Sequence, residues 1–156
     1  MRFDKFTLKA QQAVQGAQEL AQTMNHAQIE PAHLLRTLLA QDEGLVRPVI
    51  KKLEVDPQKV IQGVDDILTR LPQVSGASQV YLSPALNQIL DEAFKLATQM
   101  KDEYVSTEHL FLTLAKAKDS DVGRLFASLG LSEEAIMQSL AGLRGSQRVT
   151  DQNPEE

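Results

Sequence analysis

Two phrases of the chain carry a histidine at the same offset: IEPAHLL at 29–35 and VSTEHLF at 105–111. His33 and His109, with a third ring at His26, are the imidazoles available for metal binding or proton transfer, and Glu108 adds a carboxylate beside His109. Zinc asks for histidine or cysteine in closely spaced pairs. The chain has no cysteine and neither an H-x-x-x-H nor an H-E-x-x-H pair, so no metal site is expected. Thiol chemistry is excluded, no G-x-S-x-G motif offers a serine nucleophile, and the eight glycines are scattered rather than gathered into a phosphate loop. Glu108 and His109 could act as an acid–base pair, but neighbours in a helix project about 100° apart and should not converge on one substrate atom. No catalysis is expected. The plainer expectation is that His33 and His109 each pack in the first turn of a helix and hydrogen-bond the link before it. Glu108 stands where the first phrase has Ala32. Two readings of it stay open: a residue that favours the helix dipole and nothing more, or a contact for a ligand.

The phrases belong to a longer duplication. Shifted by 76 positions, residues 7–68 and 83–144 align without a gap, with about a dozen identities over 62 positions. His33, Leu34, Thr37 and Leu38 fall on His109, Leu110, Thr113 and Leu114, and Ala17, Leu20, Ala21 and Met24 on Ala93, Leu96, Ala97 and Met100. Apolar positions stay apolar in both copies, as in Val14/Leu90, Ile29/Val105 and Val60/Ile136. Each copy predicts four helices. In the first, Thr7 is an N-cap before apolar residues at three- and four-residue spacing, and Pro31 opens the second helix. Gly44 breaks that helix, and Asp56-Pro57 starts the fourth. In the second copy Ser83-Pro84 opens helix five, Thr107 caps helix six, Ser120 precedes helix seven and Ser132 starts helix eight. The expected fold is all-α: eight helices in two four-helix repeats, about 7–68 and 83–144, around a joint at 71–82. The stretch 149–156 ends acidic, lacks apolar periodicity, and is expected to be a linker leading out of a domain of residues 1–148.

Composition narrows the function classes further. With 42% apolar residues a core can be buried, and with five Phe, two Tyr and no Trp it must be built from Leu, Val, Ile and Ala. A formal net charge of −5 and no long Lys/Arg run argue against nucleic acid as a partner. The charged N-terminus is unlike a signal peptide, and no apolar run reaches membrane-spanning length, so the default expectation is a cytoplasmic protein that binds no membrane. Sites are expected where the copies differ. Phe94 replaces Gln18 and Tyr104 replaces Gln28, while Phe3 and Phe6 before the first helix are either a staple or an exposed edge. An apolar groove with an acidic rim would bind peptide segments.

The opening MRFDKFT, the paired phrases and the joint DILTRLPQVSG together resemble the N-terminal domain of the Clp chaperone ATPases, and most closely its disaggregase branch. The resemblance covers about residues 1–148. It implies a double Clp-N motif with pseudo-twofold symmetry, mobile on a linker before the first ATPase ring and hydrolysing nothing itself. It implies that the domain captures unfolded or aggregated polypeptide for threading by a homohexameric motor that works with the DnaK system. ATP and magnesium would belong to other modules, no cofactor to this one, and the isolated domain would be a monomer. Carried over by position, the peptide-contacting residues would be Thr7, Asp102 and Glu108. The repeat asymmetry adds Leu90, Phe94 and Tyr104 as the neighbouring groove. Relatives that read phosphorylated arginine carry Glu in both phrases, so Ala32 speaks against that ligand here. In other branches the same domain docks a folded adaptor, and this remains the alternative.

Overall fold

The computed structural model describes residues 3–42, 44–75 and 79–144; the expected linker at 149–156 and part of the joint, 76–78, lie outside them. A 3-10 turn, Phe3–Lys5, leads into four helices: α1 (Leu8–Thr23), α2 (Pro31–Ala40), α3 (Val46–Lys52) and α4 (Pro57–Arg70). The second set is α5 (Pro84–Gln99), α6 (Thr107–Lys116), α7 (Asp121–Ser128) and α8 (Glu133–Arg144). Two residue pairs form the strands β1 (Gln28–Ile29) and β2 (Tyr81–Leu82). The fold is therefore all-α with eight helices among the described residues. None of these helices is long and apolar enough to cross a membrane.

The caps follow side-chain chemistry. Thr7 accepts from the Ala10 N–H at 3.2 Å, and its equivalent Ser83 accepts from the Leu86 N–H at 3.0 Å. Asp56 and Ser120 do the same for α4 and α7. Helix six differs from expectation, since Ser106, not Thr107, is its N-cap. The residue three positions beyond the cap is His109, whose ring reaches back to the cap's backbone, and this reciprocal bonding fixes the helix start one residue earlier.

The repeats are interlocked rather than merely adjacent. The segment before α5 pairs with the link before α2: β2 runs parallel to β1 with Ile29 opposite Leu82, and the Ser83 N–H donates to the Ile29 carbonyl at 3.0 Å. Reciprocally, the segment before α1 pairs with the link before α6: Phe6 bridges to Val105, and the Thr7 N–H donates to the Val105 carbonyl at 2.9 Å. Helix contacts obey the same exchange. α1 touches α6 while α5 touches α2, and α3 touches α8 while α7 touches α4; α2 and α6 meet each other across the axis. This reciprocity is what a twofold relation requires. The core lies along that axis, with Leu34, Leu38, Leu110 and Leu114 fully buried, and Phe111 edge-on to Phe126 at 5.4 Å.

Candidate functional site

The two phrase histidines occupy equivalent boxes. In the first, the Glu30 N–H donates to His33 Nδ1 at 2.8 Å. In the second, the Ser106 N–H donates to His109 Nδ1 at 2.8 Å, and Ser106 Oγ lies 3.1 Å from the same nitrogen. A nitrogen that accepts a backbone N–H carries no proton, so each ring is neutral with its proton on Nε2. That proton is used at once. His33 Nε2 donates to His26 Nδ1 at 2.8 Å, and His109 Nε2 donates to Asp102 Oδ2 at 2.7 Å. Position 26 plus the 76-residue shift is 102, so the two acceptors are themselves equivalent. Burial pushes His33 down to about 4, helped by the neighbouring His26 ring. Burial also lowers His26, against the field of Glu30.

Asp102, Glu108 and His109 bring their donor atoms within 4.8 Å of one another. This corrects the expectation that Glu108 and His109 diverge: the 100° step separates their Cβ directions, and the length of both side chains brings their tips back together beside Asp102. The donor set looks like half a metal site, but the box histidine does not suit one. Its Nδ1 accepts from Ser106 and its Nε2 carries the proton given to Asp102, so no ring lone pair is left to bind a cation or act as a base.

The expected peptide-contacting residues separate into two layers. Thr7, Asp102 and Glu108 are buried, and the Asp102 and His109 side chains are sealed entirely. Leu90 is fully buried as well and lines no exposed groove; it belongs to the inward stripe of α5 with Leu86, Ile89 and Ala93. Above this layer lies an accessible one. Phe94 and Tyr104 are half-buried, the Phe94 ring centroid sits 5.2 Å from Phe6, and the Lys5 ammonium lies 5.9 Å from the Tyr104 ring centroid. Of the two early phenylalanines, Phe6 is in the core and Phe3, edge-on to it at 5.4 Å, is 40% exposed. Leu8, at the start of α1, is 42% exposed and was not anticipated, although an apolar residue directly after a cap was the signal. Phe3 and Phe94 flank Phe6, Tyr104 lies beside Lys5 next to the Phe6–Val105 bridge, and the exposed Leu8 follows Phe6 by two residues. We group these four as an apolar rim near the buried Thr7, Asp102 and Glu108. At the equivalent seam of the other repeat, the counterparts of Phe94 and Tyr104 are the exposed Gln18 and Gln28, and that of Glu108 is Ala32.

The duplicated helical domain thus has an apolar rim on one seam and two box histidines whose ring nitrogens are both engaged in hydrogen bonds. The chain belongs to the Clp repeat (R) N-terminal domain family, whose pattern matches residues 5–129. It is 37% identical over 159 residues to the chaperone protein ClpB of Bacillus anthracis, an alignment that takes in 99% of this chain and 18% of that protein. The chain thus spans less than a fifth of the length of the relatives it matches. Among solved structures, the Hsp104 N-terminal domain from Candida albicans superposes with a TM-score of 0.87 at 25% identity, covering 97% of this chain and 99% of that one. The ClpV N-domain in complex with a VipB peptide shares the fold, with a TM-score of 0.77 at 22% identity over 95% of this chain and 92% of that one.

Proposed function

We propose that this domain transiently captures extended apolar segments of unfolded or aggregated polypeptide and passes them to a hexameric ATPase of the disaggregase type, in the cytoplasm and alongside the DnaK system. The observation that carries the reading is the rim of Phe3, Leu8, Phe94 and Tyr104 on one seam, where the other seam has Gln18 and Gln28 and one exposed aromatic, Tyr81, paired with Gln28. Burial of a few apolar side chains at about 25 cal/mol per Å² gives weak, reversible capture, which suits delivery better than tight binding. ATP and magnesium have their place in the ATPase modules of such a parent, and this domain contributes only the hold on the client.

Titration of the domain with unfolded, alkylated α-lactalbumin, followed by two-dimensional NMR, tests this. Fast-exchange shifts confined to Phe3, Leu8, Phe94 and Tyr104 are expected. Absence of shifts at saturating client concentration would remove the reading. A second reading, docking of a folded adaptor, draws support from the VipB peptide held by the related ClpV domain. Scrambling the ligand separates the two, because capture of unfolded chain tolerates it and an adaptor dock does not.

A further inference from the structure

The link Glu103–Ser106 presents Tyr104 to the rim and pairs Val105 with Phe6, so its position decides where the rim lies. Three bonds hold it at the backbone: the Asp102 N–H to the Ala97 carbonyl at 2.9 Å, the Val105 N–H to the Lys5 carbonyl at 2.8 Å, and the Thr7 N–H to the Val105 carbonyl at 2.9 Å. A fourth tie spans the link from end to end. It runs from the Ser106 N–H to His109 Nδ1, and from His109 Nε2–H to Asp102 Oδ2. Both side chains of this tie are sealed from solvent, so the Asp102 carboxylate touches no ligand that sits on the surface. In the other repeat a histidine, His26, fills the same acceptor role towards His33. What the position supplies in both repeats is therefore an acceptor for the box histidine, with a carboxylate in one and an imidazole in the other.

Building on the capture reading, we infer that Asp102 and His109 are positioning residues. They set the link 103–106, and through it the rim, by hydrogen-bond geometry, and the charge of Asp102 takes no part in recognising the client. On this inference Asp102 acts through the link, whereas the resemblance implied a direct contact with peptide.

Four versions of the domain decide it: wild type, Asp102→Asn, Asp102→His and Asp102→Ala, each titrated with alkylated α-lactalbumin and melted thermally. Asn offers an amide oxygen and His offers Nδ1, as His26 does, so both should keep the Kd within about threefold of wild type; Ala should weaken it about tenfold or more. His109 in the wild type should show the Nε2–H tautomer in long-range proton–nitrogen spectra, and Asp102→Ala should displace the amide shifts of 103–106 and Phe6. If Asp102→Asn or Asp102→His loses binding as far as Asp102→Ala, or fails to fold, charge is required and the inference falls. It falls also if Asp102→Ala leaves the link shifts in place, whatever happens to the client. Link shifts that move as expected in a wild-type background that binds no client would retire the capture reading while leaving the positioning role intact. Should Asp102→Ala not fold, the Asn and His versions alone decide.

Discussion

The same scaffold position is filled by His26 in one repeat and by Asp102 in the other, and the two answer to acid differently. In both, a backbone N–H forces the box histidine to hold its proton on Nε2 and give it to the residue at this position. With Asp102 as acceptor, a positive histidine would face a carboxylate. With His26, a proton added at its Nδ1 would face the His33 Nε2–H. In both repeats a proton added at Nδ1 of the box histidine would face the cap N–H, of Glu30 or of Ser106. Each breaks a bond. The fold thus accepts either chemistry at neutral pH, and one copy has combined Asp102 with Glu108 and an aromatic rim while the other has kept Ala32 and glutamines.

The largest expected effect concerns a pair of positions that the shift equates and packing does not. Arg47 reaches the Leu39 carbonyl with Nε at 2.5 Å, whereas its equivalent is Gly123. There a Cβ would stand 2.0 Å from the Ala117 carbonyl oxygen and 2.8 Å from the Lys118 Cα, because the turn after α6 folds back against α7. Backbone cannot swing aside as a side chain can. Gly123→Ala should cost about 3 kcal/mol, the upper end of ordinary overpacking, in a denaturant melt. Gly63→Ala, whose Cβ would meet first the movable Leu125 side chain, should cost less. Equal losses at the two sites would mean that the turn after α6 yields easily.

Next comes acid. His33 is held near 4 in the fold against an unfolded value of 6.5, and His26 is lowered too. A depressed value means that the unfolded chain takes up protons that the folded chain refuses. The stabilisation is complete above about 6.5 and is lost as pH falls from there through about 4, of the order of 2 kcal/mol over that window. His26→Asp installs the other repeat's acceptor. It should reduce the loss between pH 6.5 and 4 to under about 1 kcal/mol, since a protonated His33 would then face a carboxylate. An unchanged pH slope in melts of His26→Asp would show that the histidine pair is not its source.

Most of the fold was legible because the 76-residue shift conserves what the core needs: apolar type at helical spacing, and a cap at each start. The site was legible only in part, for separable reasons. Leu90 already sat in the buried stripe with Leu86 and Ile89, and periodicity alone placed it in the core; no asymmetry between copies could bring it to the surface. Ser106 lost the cap assignment to Thr107 because the partner three residues on is a histidine, not the Glu or Gln of the usual box. The Asp102–His109 couple escaped notice because its members are seven residues apart with a turn between them, and only the matching His26–His33 pair shows the rule. Leu8 escaped because an apolar residue at the head of an amphipathic helix reads as core until the neighbouring elements are placed.

The smallest expected effect lies at the ends of α3 and α7, where the chain turns through the left-handed region in both repeats. Gly130 does so at φ 75°, and its equivalent Glu54 does so at φ 64° with a side chain attached. A residue with a Cβ is strained there by about 1–2 kcal/mol, and glycine is not. Glycine also gains freedom in the unfolded chain, which takes back about 0.5–1 kcal/mol of the relief. Glu54 is exposed, and its N–H bond to the Lys51 carbonyl at 2.9 Å is one that glycine can also make, so little else is lost on replacing it. Glu54→Gly should therefore stabilise by up to about 1 kcal/mol, and Gly130→Ala should destabilise by a similar amount because open space surrounds its Cβ and only the backbone resists. The two changes form a matched test by denaturant melting. Opposite signs of similar size would mean that the turns at the two ends are governed by backbone conformation alone, as the repeat symmetry requires. A loss in Glu54→Gly would instead mean that the glutamate side chain contributes to the first repeat something that Gly130 never needed in the second.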